Sequence, residues 1–101
     1  MANGSKLERE FQSKLIKELK TTFEGCMVIK QDPDYIQGIP DLLVLHKDKW
    51  AALEVKRSSN AKHQPNQDHY VEKMDDMSFS RFIYPENKEE VLHELQQVFN
   101  A

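Results

Sequence analysis

Gly38-Ile39-Pro40-Asp41-Leu42-Leu43-Val44-Leu45 and, a short polar break later, Ala52-Leu53-Glu54-Val55-Lys56 decide how this chain is read. One acid, Asp41, opens a strongly apolar run. A second acid, Glu54, and a base, Lys56, interrupt the next one. Runs destined for burial rarely carry charges, because an unpaired buried charge is costly. A bound cation removes that cost, so Asp41, Glu54 and Lys56 read as one divalent-metal site.

The local pattern supports a hairpin. The run from about Pro40 to His46 predicts a strand covered on both faces. His46-Lys47-Asp48-Lys49 is a polar turn, and Lys49–Arg57 predicts a strand that pairs back. Period-two alternation puts Trp50, Ala52, Glu54 and Lys56 on one face, and Ala51, Leu53, Val55 and Arg57 on the other. Asp41 begins one strand where the other, antiparallel, ends. The hairpin therefore brings it close to Glu54 and Lys56.

Upstream, Leu7, Phe11, Leu15, Leu19 and Phe23 predict a helix over about Ser5–Phe23, with Ser5 as N-cap and Gly25 as stop. Glu8 falls beside Leu7, Phe11 and Leu15 on the inward stripe, whereas Glu10 falls toward solvent. Glu8 could reach a metal on the sheet, but Ser5-Lys6-Leu7-Glu8 also fits a capping box. A short strand follows at Met27–Gln31. In the next loop Asp32-Pro33-Asp34 offers two carboxylates, which ordinary turn chemistry explains better. Tyr35 is either an aromatic that stacks on a base or a partly buried loop anchor.

Downstream, Arg57–His63 is a polar, locally basic loop. Pro65 occupies the favoured first position of a helix running to about Asp75. Gln67, Tyr70, Val71 and Met74 share one face of it. Gln67 on that stripe is either part of the site or a backbone partner at the helix start. Ser80–Tyr84 predicts a fourth strand. A last helix begins near Asn87, its stripe of Val91, Leu92, Leu95, Val98 and Phe99 packing on its own sheet or, less simply, on a second copy. The order α-β-β-β-α-β-α predicts an α/β domain, a mixed sheet with helices on both faces.

The whole chain, 101 residues with 39% hydrophobic residues, fits one domain over 1–101. Its net charge of -3 argues against indiscriminate coating of nucleic acid, although clustered acids that hold metal pull the total negative. The single cysteine, Cys26, cannot form an internal disulfide, which suggests a reducing cytosol. No stretch has the apolar length of a membrane span or signal core. The histidines and Cys26 lack zinc-finger spacing.

Carboxylates holding Mg²⁺ or Mn²⁺ suit phosphodiester hydrolysis, because the cation supplies Lewis acidity and acidifies water. Lys56 would hold the water or steady developing negative charge, and the Val55 carbonyl is a further candidate ligand. By itself Asp then Glu-x-Lys is a weak pattern. Pro40-Asp41 with Glu54-Val55-Lys56 resembles the PD-(D/E)xK nuclease motif, set in the α-β-β-β-α-β order of that superfamily. Gly38-Ile39-Pro40-Asp41-Leu42, then Leu53-Glu54-Val55-Lys56, then Gln64-Pro65-Asn66-Gln67 resembles the virus-type replication-repair nuclease (VRR-NUC) family.

The resemblance implies a restriction-endonuclease-like αβββαβ core with a mixed four-stranded sheet. Asp41 and Glu54 match its metal ligands, Lys56 its catalytic lysine, Gln67 its supporting glutamine and Glu8 the acid of its first helix. Gln64 departs from the serine that many relatives carry before the proline, which weakens the helix cap. Small free-standing members, as in phages, are similar to Holliday-junction resolvases that act as homodimers on four-way junctions. The expectation is therefore a Mg²⁺- or Mn²⁺-dependent, structure-specific DNA endonuclease in a bacterial or phage-infected cytoplasm. Lys6, Arg9, Lys30, Arg57, Lys62 and Tyr35 are its candidate DNA contacts, with His63 a further basic group. The rivals are a monomeric nuclease acting on flaps, nicks or ends, a catalytically dead DNA-binding module, and a metalloprotein with no nucleic-acid affinity.

Overall fold

The computed structural model describes residues 2–101, with side chains from Lys6 onward. The elements are α1 (Ala2–Thr22), β1 (Met27–Lys30), β2 (Leu42–His46), β3 (Lys49–Val55), α2 (Gln67–Met77), β4 (Ser80–Ile83) and α3 (Lys88–Phe99). They build the expected αβββαβ core, closed by α3. The four strands lie in the order β1-β2-β3-β4. The first two pairings are antiparallel and β3 pairs with β4 in parallel, so the sheet is mixed.

Alternation divides the sheet into two faces. Leu42 and Val44 of β2 and Ala51, Leu53 and Val55 of β3 face one side. They form one core with Leu15, Leu19 and Phe23 of α1 and Val91, Leu92, Leu95 and Phe99 of α3. Leu15, Leu19, Leu42, Leu53, Ile83 and Leu95 are fully buried, each contributing about 1.5–3 kcal/mol over an exposed position. The α3 stripe thus covers its own sheet. On the opposite face α2 packs on β3 and β4 and is more loosely seated, with no buried residue of its own.

Several element bounds differ from expectation. The backbone of α1 is helical from Ala2, upstream of Ser5. The capping side chain expected at Ser5 lies outside the described residues. Leu7, expected on the inward stripe, is exposed because the start of α1 overhangs the core. Gly25 ends the approach to β1 with φ +87, as a helix stop requires. β2 starts at Leu42, after Pro40 and Asp41, and β3 ends at Val55, although the Lys56 N–H still donates to the Ile83 carbonyl of β4 at 2.9 Å. His46, read as part of a polar turn, is buried among Phe23 and Phe99.

The clearest correction concerns Pro65. α2 begins at Gln67, and Pro65 lies in the turn before it. The Gln67 N–H donates to the Gln64 carbonyl at 3.2 Å, closing a β-turn over Gln64–Gln67. Asn66, with φ 72 and ψ -8, takes its third position and serves as the N-cap. Those angles with proline second describe a type II turn. Proline's fixed φ suits that position as well as the first turn of a helix, so the sequence signal is shared.

Candidate active site

The β2–β3 register pairs Leu42 with Leu53, so Asp41 stands opposite Glu54 one step beyond the ladder. Asp41 continues the hairpin with its side chain: its Oδ2 accepts the Val55 N–H at 2.9 Å. In an extended strand a residue's carbonyl and N–H share one side, which would put the Val55 carbonyl on the Asp41 side of β3. The Asp41 carbonyl accepts the Gln31 N–H at 2.8 Å, which ties the residue to the end of β1.

Glu54 is 3% exposed, on the α2 face. Its Oε2 accepts the Gln67 Nε2 at 3.0 Å and lies 4.0 Å from the Lys56 Nζ. Its Oε1 is buried without a hydrogen-bond partner among the described residues. Burial, followed by the charge and hydrogen bonding of Asp41, pushes the Glu54 carboxyl up to about 9 against the opposing pull of Lys56.

Gln67 satisfies both readings of its position. Its amide nitrogen holds Glu54, and its Oε1 accepts the Gln64 N–H at 2.8 Å, bracing the turn. Gly38, with φ +91, packs directly on Pro65 and Asn66 and so brings the loop before Asp41 against that same turn.

Glu8 is half-buried near these groups. Its carboxyl is raised above its ordinary value, first by burial and then by the charge of Asp41, while Lys56 and Arg57 oppose the rise. Glu8 is thus within range of the Asp41 charge, whereas Glu10 is exposed. The capping-box alternative depends on the Ser5 side chain, which is not described.

Lys56 is 5% exposed despite its charge. Its Nζ donates to the Lys62 backbone carbonyl at 3.0 Å. That acceptor carries no sequence signal, since every residue has a carbonyl; what the sequence displays at Lys62 is its ammonium.

Among the candidate DNA contacts, Lys6, Arg9, Lys30, Arg57 and Lys62 are all exposed. Arg57 lies close enough to act on Glu8. Tyr35 is 85% exposed, so it is not a buried anchor. Asp32 does turn chemistry, its Oδ1 accepting the Asp34 N–H at 2.9 Å.

The donor set fits a hard divalent cation. Asp41 and Glu54 would supply carboxylate oxygens, and the buried Glu54 Oε1 is a polar atom that needs a partner. Among the described residues no three His, Cys, Asp or Glu side chains gather closely enough to hold a metal alone. Backbone carbonyl and water would complete the shell, as Mg²⁺ commonly arranges.

No family model and no curated protein matches this sequence. Among the described residues no helix is long and apolar enough to cross a membrane.

Proposed function

We propose that this chain is a Mg²⁺- or Mn²⁺-dependent, structure-specific DNA endonuclease of the VRR-NUC kind, acting as a homodimer on four-way junctions. The observation that carries the reading is the convergence of two carboxylates and one ammonium at one end of the sheet. Asp41 is held by the Val55 N–H, Glu54 by Gln67, and Lys56 by the Lys62 carbonyl. A surface salt bridge needs no such burial, and a core position needs no such charge.

Asp41 and Glu54 would hold the cation, with the Val55 carbonyl and, through water, Glu8. When bound, the cation supplies Lewis acidity and a more acidic water. Gln67 keeps the Glu54 carboxylate in one orientation. Lys56 places a positive charge beside the carboxylates, where it would orient the attacking water or stabilise charge gathering on the phosphoryl oxygens. Arg57, Lys62, Lys6 and Arg9 would bind flanking phosphates. Lys30 and Tyr35 lie on β1 and the loop after it, where Tyr35 offers a ring for base stacking.

A junction has two-fold symmetry, and a dimer matches it. The α2 side of the sheet offers a surface for the second copy. Met27, Ile29 and Met77 are exposed there, beside an open apolar groove lined by Leu43, Leu45 and Trp50. Contiguous exposed apolar surface is the kind that a partner covers. Cleavage of a labelled junction beside a flap, with Mn²⁺ present, tests the reading. Paired nicks on the junction support it, and preferential cutting of the flap favours the monomeric nuclease.

A further inference from the structure

We propose that His63 is a positioning residue for Lys56, acting through the Lys62 carbonyl. The inference rests on the reading of Lys56 as a catalytic group and adds the device that aims it. A lysine ammonium rides on a flexible four-carbon stem, so burial alone does not fix it. The Glu54 Oε2 lies 4.0 Å away, beyond hydrogen-bond reach. The hydrogen bond that orients the ammonium is the 3.0 Å bond to the Lys62 carbonyl.

That carbonyl sits on the loop between β3 and α2, joined directly to the nitrogen of His63. His63 is fixed from two sides. Its ring stacks on Phe82, with centroids 4.0 Å apart and planes 13° from parallel. Its Nδ1 lies 2.8 Å from the Asp68 Oδ1. An ionised carboxylate only accepts, so Nδ1 carries the proton and donates.

The two anchors are the elements that hold Glu54. Phe82 is the β4 partner of Glu54 in the parallel register. Asp68 follows Gln67, whose amide bonds Glu54. The Lys62 carbonyl is therefore referenced to the same strand and helix as the carboxylate that Lys56 faces. A displaced His63 shifts the carbonyl by one covalent link, and Lys56 moves with it.

The test is steady-state junction cleavage with Mn²⁺, comparing wild type, Lys56→Ala, His63→Ala and the double variant. His63→Ala is expected to lower kcat roughly 10- to 100-fold, the cost of misplacing a catalytic group by about an ångström. KM for the junction and the Mn²⁺ dependence should stay unchanged. Adding His63→Ala to Lys56→Ala should cost nothing further, and His63→Phe, which keeps the stacked ring, should recover most of the rate. If His63→Ala does not fold, Asp68→Ala removes the hydrogen-bonded anchor alone and, like His63→Phe, should show a small part of that kcat loss that disappears on the Lys56→Ala background. Wild-type kcat in His63→Ala with Lys56→Ala inactive would overturn the positioning role alone. An equal loss on the Lys56→Ala background would also overturn it. Full activity in Lys56→Ala would overturn the catalytic reading of Lys56 first, and the positioning role with it.

Discussion

Gly38 lies directly against Asn66: a β-carbon at position 38 would come within 2.6 Å of the Asn66 Cβ and 2.8 Å of its carbonyl carbon. Two separated stretches of sequence meet at this contact. One leads into Asp41, and the other forms the turn that launches α2 and Gln67.

Gly38→Ala should therefore disturb both fold and site. Its φ of +91 and the backbone contact leave no room for a side chain. A cost of about 1–3 kcal/mol in urea denaturation is expected, with cleavage falling further as Gln67 is pushed from Glu54. Gly25→Ala is the control. It has a similar φ of +87 but nothing within 4 Å of its β-carbon, so it should cost about 1 kcal/mol and leave the site unaffected.

Gln67→Leu removes the donor to Glu54 and the acceptor for the Gln64 N–H. Partners that orient a ligand typically contribute 10- to 100-fold in metal affinity. Titration calorimetry with Mn²⁺ should show a loss of about that size, and excess Mn²⁺ should recover part of the cleavage.

Glu54 gives the metal-free protein a distinctive pH dependence. Its carboxyl titrates near 4.5 when unfolded and at about 9 in the fold. As pH rises through that window the unfolded chain ionises first, so this group makes folding progressively less favourable up to about pH 9. Thermal denaturation with chelator should show stability falling across the range, and Glu54→Gln should flatten the slope. Mn²⁺ must displace the Glu54 proton, so its affinity should rise with pH, with proton release visible in buffers of different ionisation enthalpy.

The open apolar face makes a prediction about assembly. Met27→Glu with Ile29→Glu places charge on the exposed edge strand without touching the buried core. Sedimentation equilibrium should show wild type as a dimer and the double variant as a monomer. A wild type that is monomeric at all concentrations would remove the basis for symmetric cutting.

Much of this was legible in the sequence, because the decisive signals are periodic. Alternation alone put Glu54 on the face opposite Leu53 and Val55, and hairpin geometry alone put Asp41 beside it. Pro65 was misplaced because a type II turn and a first helical turn accept the same φ. His46 was missed because a histidine beside Lys47 reads as turn, while its ring finds space between Phe23 and Phe99. The Lys62 carbonyl was invisible because side-chain identity says nothing about which backbone oxygen a loop presents. Gly38 stood out in its motif, yet the need for glycine comes from Asn66, distant in sequence.

The most direct measurement is cleavage of a four-way junction by wild type and Asp41→Ala in Mn²⁺, with binding to the same junction measured in parallel. Asp41 holds the Val55 N–H and stands opposite Glu54 at the end of the hairpin. Wild type should nick the junction only when the metal is present, and Asp41→Ala should bind the junction without cutting it. Equal cleavage by the two proteins, or no metal-dependent cleavage by wild type, would contradict the assignment of this cluster as a nuclease centre.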